Sequence, residues 1–392
     1  MRCIPALPGC TGDDSRRARV IAIERRLKQP RWLSYAVPFL SVAVAFGLIA
    51  LVLVSTGHDP LHTYRRIFTA AFDGAAAWND TLTLATPLVF TGLAAAVAFR
   101  MQLFNIGAEG QLYIGALCAS GAAIWLGPHH ALVFTILAMC VCGAAGGALW
   151  ALISGALKAF ARTSEILTSL MLNYVAGLLL TYLIFDSGAS PWRDVSTIQT
   201  RTFPQSIALK PSQFWPTASP GKLVVPFGFL LAVGIAVGLY VLFRLTRFGF
   251  EMNVIGDSTR AARYAGMRTR RKILAVMGIS GAVAGLGGAS QVGDFSHVLD
   301  ASPQGLQAAN YGYAGIVVAA LGRYNPFAVV LVGVLLGGLQ NAGFFLQGAD
   351  FPTGLVGVMQ GIILFCTLGG ELLIRYRVRF GRRTTATAEA TP

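Results

Sequence analysis

The chain has 392 residues, of which 55% are hydrophobic and only 12% are charged, and its formal net charge is +14. So few polar side chains cannot cover the surface of a soluble globule of this length, so the composition excludes a soluble protein and predicts an integral membrane protein. The positive charge alone would also suit a nucleic-acid-binding protein, and the placement of the basic residues decides between the two.

Residues 1–34 form a basic tail ahead of the first apolar run. The tail carries eight Lys and Arg residues and no sustained apolar stripe. The apolar run after it is as long as a membrane span and shows no evident cleavage site. This indicates a first transmembrane helix and not a signal peptide.

Ten apolar runs follow one another and predict an all-α polytopic membrane protein. Most approach the roughly 20 residues that a helix needs to cross the hydrocarbon core. The runs cover residues 35–57, 82–99, 104–126, 131–157, 165–186, 223–243, 273–291, 309–322, 326–346 and 353–374. We therefore expect about ten transmembrane helices in one domain, residues 35–376, followed by a basic cytoplasmic tail at 377–392.

The basic residues divide unequally between the two sides of such a protein. With the N-terminus in the cytoplasm, ten crossings place 25 of the 31 Lys and Arg residues inside and six outside. This positive-inside asymmetry predicts that both termini are cytoplasmic. It also disfavours nucleic acid as a partner.

The first polar cluster lies between the second and third apolar runs. Gln102, Asn105 and Glu109 follow one another at helical spacing, which predicts a shared helix face, and Gln111 lies close by. A carboxylate near the bilayer centre costs roughly 2.5 to 3.5 kcal/mol, so it is expected to face a cavity or a partner. Two interpretations stay open: the cluster lines a substrate path, or it fixes one helix to another.

Further polar residues lie in later runs and complete the predicted substrate path. Asn173 lies deep in the fifth run, and Asn310 and Tyr311 open the eighth. Together with Asn105, Glu109 and Gln111 they suit a neutral polar solute better than an ion, although each one alone is better explained as a contact between helices.

An internal repeat links two of these sites. Asn105 to Gly110 and Asn310 to Gly315 share the pattern N-x-G-x-x-G, and each segment opens an apolar stretch. Five crossings separate the two copies, so they enter the membrane from opposite sides. This predicts an inverted-topology repeat, an architecture in which substrates bind near the midplane at the repeat interface.

The longest loop, at residues 187–222, is rich in proline and is predicted to lie on the outer side. It is either a docking surface for an external partner or a plain connector. No metal, cofactor or disulfide is expected. The six cysteines lack C-x-x-C spacing, and Asp294, His297 and Asp300 do not share an obvious helix face.

A short polar segment, residues 256–267, separates the sixth and seventh runs and is predicted to form a small helix outside the membrane. Asp257 is the expected N-cap, Gly266 is the expected stop, and Arg260 and Arg263 lie three residues apart on one side. The segment lies in the densest basic cluster of the chain interior. We expect such a helix to be offered to a partner in the cytoplasm.

Three motifs carry a resemblance to a known family. They are Phe104-Asn-Ile-Gly-Ala-Glu-Gly-Gln-Leu-Tyr-Ile-Gly115, Glu165-Ile-Leu-Thr-Ser-Leu-Met-Leu-Asn-Tyr174 and Gly256-Asp-Ser-Thr-Arg-Ala-Ala-Arg-Tyr-Ala-Gly266. With them, residues 35 to 376 resemble the permease subunits of bacterial ABC importers of the branched-chain amino acid and ribose superfamily. Within it they look most like the nucleoside or simple-sugar branch.

The resemblance implies the ABC importer permease fold in a bacterial plasma membrane. It also implies three kinds of partner: a second permease subunit that is a different chain, a cytoplasmic ABC ATPase, and an external substrate-binding lipoprotein. The segment 256–267 then corresponds to the coupling helix that docks on the ATPase. Its matching residues are Gly256, Asp257, Arg260, Arg263, Tyr264 and Gly266.

The function expected from these observations is the translocation of a nucleoside or related sugar-containing neutral solute into the cytoplasm. The chain contains no G-x-x-x-x-G-K-[ST] phosphate loop, so ATP hydrolysis is expected in a partner and not here. A ribose, other monosaccharide or branched-chain amino acid permease of the same superfamily is an alternative. A proton-coupled secondary transporter, with Glu109 as the acid, is the alternative from another class.

Overall fold

The computed structural model describes residues 20–25, 31–186, 192–194, 196, 205–219, 221–300, 306–307, 309–345 and 354–381. The first 19 residues, all residues after 381 and much of the predicted outer loop 187–222 therefore lie outside the described residues. The chain divides into two compact units, residues 45–365 and residues 1–44 with 366–392.

The described residues are almost entirely helical. The helices are α1 (Arg31–Ser55), α2 (Pro60–Phe72), α3 (Gly74–Arg100), α4 (Ala108–Leu126), α5 (Leu132–Ala156), α6 (Glu165–Thr181), α7 (Phe227–Leu245), α8 (Arg247–Asp257), α9 (Thr259–Tyr264), α10 (Thr269–Ser290), α11 (Tyr311–Leu321), α12 (Pro326–Phe345) and α13 (Leu355–Arg375). Turns of π-helix continue α5, α6 and α10 over Leu157–Ala161, Tyr182–Asp186 and Gln291–Ser296.

Two short antiparallel strand pairs complete the described structure. Strand β1 (Val20–Arg25) pairs with β4 (Tyr376–Gly381) within the smaller unit. Strands β2 (Thr217–Ala218) and β3 (Val225–Pro226) pair within the larger unit. No strand is predicted from the sequence in either tail, although Tyr376, Val378 and Phe380 alternate with Arg377 and Arg379 in β4.

Each of the ten predicted apolar runs coincides with a helix, but the count of ten crossings is not confirmed. Among the described residues, six helices are long and apolar enough to span a membrane, or seven if α1 and α2, bent by 115°, form one broken span. Helix α4 is not among them, since its first turns carry Glu109 and Gln111. Helix α11 has 11 residues, or about 16 Å, roughly half of the hydrocarbon thickness.

Helix α3 forms the centre of the larger unit. Its apolar segment is 94% buried, and α4, α7, α10, α11 and α12 all pack on it. Helix α5 packs on α4 and α10 at positions where glycines face each other. A Cβ atom added to Gly147 of α5 would meet the backbone of Gly281 and Gly285 of α10. The abundance of glycine is thus explained by helices in backbone contact.

The described part of the outer loop packs back on the bundle. Trp215 is 4% exposed and its indole nitrogen lies 3.4 Å from the sulfur of Met139 in α5. The side chain of Gln213 donates to the carbonyl of Ala123 at the end of α4, over 2.7 Å. Residues 205–219 are therefore part of the packed structure and do more than connect two helices.

Candidate functional site

The two copies of the N-x-G-x-x-G motif meet in space. Glu109, in the first turn of α4, accepts hydrogen bonds from the backbone N–H groups of Gly312 and Tyr313, in the first turn of α11. Its second carboxylate oxygen accepts from the hydroxyl of Tyr113 over 2.6 Å. We call this meeting of the first turns of α4 and α11 the junction.

The junction has an electrostatic basis. The first N–H groups of a helix lack partners within that helix, and the helix dipole favours a negative charge beside them. The carboxyl group of Glu109 supplies the acceptor for α11. A Cβ atom on Gly312 would collide with the backbone of Glu109, so the close approach requires glycine at position 312.

Three neighbouring helices place the junction deep in the bundle. Asn173, which bonds to the start of α4, lies eight residues or about 12 Å from the first residue of α6. Thr91 donates to the carbonyl of Tyr311 over 2.8 Å, nine residues or about 14 Å before the end of α3. Ser280, which binds Asn105, lies eleven residues or about 16 Å along α10. These depths are close to half of a hydrocarbon core of ~30 Å.

Asn105 is held in a closed network. Its side-chain amide nitrogen donates to Gln111 over 3.0 Å and to Ser280 over 2.8 Å. Its carbonyl oxygen accepts from the side chain of Gln111 over 2.9 Å and from the N–H of Gly107 over 3.0 Å. The segment between α3 and α4 is thereby fixed to α10 although it is not helical.

Asn173 joins α6 to the same segment. Its carbonyl oxygen accepts from the N–H of Gly110 over 2.9 Å, and its nitrogen donates to the carbonyl of Ile106 over 3.0 Å. The nitrogen also lies 3.2 Å from the hydroxyl of Tyr313. A single buried amide thus binds both copies of the repeated motif.

The structure brings most of the predicted path residues together. Asn105, Glu109, Gln111, Asn173 and Tyr311 are buried at or beside the junction, whereas Asn310 is exposed. The prediction that Gln102 shares a helix face with Asn105 and Glu109 is wrong. Residues 101–107 are not helical, and Gln102 is exposed with a left-handed φ of 59°.

Thr91, Ser280 and Tyr313 also take part in the junction. Thr91 and Ser280 were not among the polar residues predicted from the sequence. Isolated hydroxyl groups in apolar runs are common, because Ser and Thr readily bond to the backbone of their own helix. Tyr313 lies inside the second copy of the motif and is one of the hydrogen-bonding residues that the sequence places in the eighth apolar run.

The polar segment 256–267 forms an exposed knob, which we define as the end of α8 and α9. Ser258 is the N-cap of α9 and accepts from the N–H of Ala261 over 3.3 Å, so the prediction of Asp257 as N-cap is wrong. Asp257 is instead the last residue of α8. Gly266 follows the helix with φ of +73°, as the predicted stop requires.

Three of the side chains predicted to contact the ATPase are exposed on the surface of the knob. Arg260 and Arg263 are exposed, and Tyr264 is 94% exposed. Gly256 lies on the opposite side, where an added Cβ would come within 3.0 Å of the carbonyl oxygen of Arg100. The knob therefore rests directly on the end of α3.

Polar contacts hold α8 between α3 and α10. The guanidinium of Arg100 donates to the side chain of Asn253 over 3.0 Å and lies 4.5 Å from the ring centre of Phe243. Glu251 and Lys272 form an ion pair of 2.6 Å. The knob is thus tied to the end of α3, and residues 101–107 lead from there to the junction.

The described residues contain no group of three or more His, Cys, Asp and Glu side chains that could hold a metal ion. Asp294 accepts from the N–H of Gly228 at the start of α7 over 2.9 Å. His297 stacks on Phe214 with ring centres 3.6 Å apart.

Comparison with known proteins identifies the family. Residues 78–368 match the family model described as branched-chain amino acid transport system / permease component. The glucose ABC transporter permease protein of Haloferax volcanii is 32% identical over 95% of this chain and 97% of its own. The guanosine ABC transporter permease protein of Bacillus subtilis is 31% identical over 88% and 94%.

A more distant relative and a solved structure also match. The nucleoside ABC transporter permease protein NupB of Lactococcus lactis is 28% identical over 84% of this chain and 89% of its own. An inward-facing ABC transporter of the metal-chelate type matches 84% of the chain at 15% identity with a TM-score of 0.40, too low to assign the fold. The family model and the relatives confirm the resemblance seen in the three motifs. The chain belongs to the branched-chain amino acid transport system permease family, as the multi-pass membrane component of an ABC transporter and not its ATPase.

Proposed function

We propose that this permease carries a nucleoside or a related neutral, sugar-containing solute into the cytoplasm, driven by ATP hydrolysis in a partner. The observation that carries the proposal is the exposed knob, whose basic side chains stand free of the bundle while its base is fixed to the end of α3. The names of the relatives, which include guanosine, nucleoside and glucose permeases, support this class of cargo.

The proposed assembly contains a second, different permease chain, a cytoplasmic ABC ATPase and an external substrate-binding lipoprotein. The ATPase docks on Arg260, Arg263 and Tyr264. Both termini then lie in the cytoplasm, on the same side as the knob. Movement of the knob reaches the junction through α3, because Gly256 rests on its last residues and Asn105 follows them along the chain.

In this proposal the junction separates the two openings of the path. Five of the six predicted path residues are buried, and Asn310 alone of the six is exposed. Parting the first turns of α4 and α11 would uncover Asn105, Glu109 and Asn173 to a solute. The inverted repeat gives this arrangement a physical basis, since discontinuous helices that meet at mid-depth form binding sites in other transporters.

A proton-coupled secondary transporter fits the junction less well. A coupling acid must exchange protons with water, whereas the carboxylate of Glu109 is buried and accepts from three donors at the start of α11 and on α4. These contacts support a role for Glu109 in holding two helices together.

Uptake by the reconstituted system tests the proposal. Proteoliposomes containing both permease chains and the ATPase, supplied with the binding protein, should accumulate radiolabelled guanosine only with ATP. Competition by unlabelled adenosine, ribose, glucose and leucine identifies the cargo class. Uptake by this chain alone, driven by a proton gradient without ATP, would show that the secondary transporter is the correct class.

A further inference from the structure

A cleft of about 530 Å³ lies beside the knob, where the end of α5 meets the start of α10. Five arginines line it, and its lining contains no carboxylate. The lining residues are Phe160, Arg162, Arg263, Met267, Arg268, Thr269, Arg270, Arg271 and Leu274. The density of guanidinium groups makes this a site for an anion with several acceptor oxygens.

Two glutamates are paired with lysines that lie close in sequence to residues lining the cleft. Glu165, which follows Arg162 in sequence, pairs with Lys158 over 2.6 Å, and Glu251 pairs with Lys272 over 2.6 Å. No side chain caps the N-terminus of α10, so its first N–H groups add to the positive potential of the cleft.

An apolar stripe leads along the bundle to the cleft. Leu149, Ile153, Leu157 and Phe160 follow at spacings of four, four and three residues, and they are 66%, 42%, 39% and 62% exposed. At helical rise they extend over about 16 Å, close to the length of one leaflet of the hydrocarbon core. Phe160 joins stripe and cleft, since the guanidinium of Arg270 lies 5.7 Å from its ring centre.

We propose that this cleft binds the phosphate headgroup of an anionic phospholipid, with an acyl chain lying along the stripe. The arginines supply the charge and the donors for the phosphate diester, and the exposed leucine, isoleucine and phenylalanine side chains supply the apolar surface. A soluble phosphate would contact the arginines alone and leave the apolar stripe uncovered. Basic pockets beside transmembrane helices bind anionic headgroups in this way.

The test uses the complete chain, purified in a neutral detergent and titrated with phosphatidylglycerol while its melting temperature is measured. Phosphatidylglycerol should raise the melting temperature, and phosphatidylcholine or inorganic phosphate at the same concentration should not. In the variant R162Q/R270Q the apparent affinity for phosphatidylglycerol should fall roughly 30-fold. Arg263 stays in place, so ATPase docking is not the quantity that changes.

Two further variants serve as controls. R162K/R270K keeps the charge and should retain most of the response, which separates loss of binding from loss of folding. R65Q/R66Q removes two exposed arginines from α2, outside the cleft, and should respond like the unmodified chain. An unchanged titration in R162Q/R270Q, or an equal shift with inorganic phosphate, overturns the proposal. The proposal is also overturned if R162Q/R270Q binds phosphatidylglycerol normally and loses only its affinity for the ATPase.

Discussion

The carboxylate of Glu109 accepts the backbone N–H of Gly312, 203 residues further along the chain. This bond joins the first turns of two helices that begin with the same N-x-G-x-x-G pattern. Because one partner is a backbone group and the other is a buried carboxyl group, the contact fixes the position of α11 relative to α4. Substitutions at the junction should therefore affect stability and transport together.

Adding a methyl group to Gly312 tests the close approach directly. In G312A the new Cβ overlaps the backbone of Glu109, so we expect destabilisation of about 1–3 kcal/mol, as in other overpacked cores. The measurement is the melting temperature of the purified chain. G234A is the matched control, since a Cβ there meets nothing within 4 Å and alanine favours the helix. Equal melting temperatures for the two variants would contradict the described contact.

Replacing Glu109 tests its role as a cap. E109Q keeps one oxygen that can accept from the two backbone N–H groups and replaces the other with an NH2 group. The hydroxyl of Tyr113 then loses its acceptor, and we expect a loss of about 1–3 kcal/mol in the free energy of unfolding. Y113F removes one of the three donors and should cost less, about 0.5–1.5 kcal/mol. ATP-driven uptake by folded E109Q should continue at a reduced rate. Complete loss of uptake with normal stability would instead support a coupling acid.

Substitution of Asn173 should destabilise the protein far more than substitution of its neighbour Tyr174. N173A leaves the N–H of Gly110 and the carbonyl of Ile106 buried without a partner, which costs about 1–3 kcal/mol. Y174A alters a side chain that is 64% exposed, so its effect on the melting temperature should be small. A reversed order of the two variants would show that the bonds of Asn173 do not hold α6 in place.

The ion pair between Glu251 and Lys272 should support coupling more than stability. Both side chains are partly exposed, so the pair itself contributes less than about 1 kcal/mol. E251K sets two positive charges side by side, and stimulation of the ATPase by this permease should fall about two- to five-fold. The double variant E251K/K272E restores opposite charges. If the double variant performs no better than E251K, the pair does not hold α8.

The apolar runs predicted the position of every long helix. A membrane span requires an unbroken apolar stretch, and this chain separates such stretches with short polar segments. The repeated motif also marked the two segments that meet at the junction. That they touch was not predictable, because a contact over 203 residues depends on how all the intervening helices pack.

The errors occur where the backbone departs from regular helix. Gln102, Asn105 and Glu109 have helical spacing, yet buried hydrogen bonds from Asn105 and Asn173 stabilise an irregular segment there. At the knob, Asp257 and Ser258 are both good N-cap residues and adjacent. The first continues α8 and the second starts α9, a choice set by the packing of α8 on α3.

We propose that an ATPase drives this permease through the knob, and charge reversal on the knob tests this most directly. The measurement is the rate of ATP hydrolysis by the reconstituted complex with and without the loaded binding protein. In R260E/R263E we expect the stimulated rate to fall roughly ten-fold or more, with the melting temperature unchanged because both side chains are exposed. The control R65E/R66E reverses two exposed charges on α2 and should keep full stimulation. Full stimulation in R260E/R263E would show that the ATPase does not act through the knob.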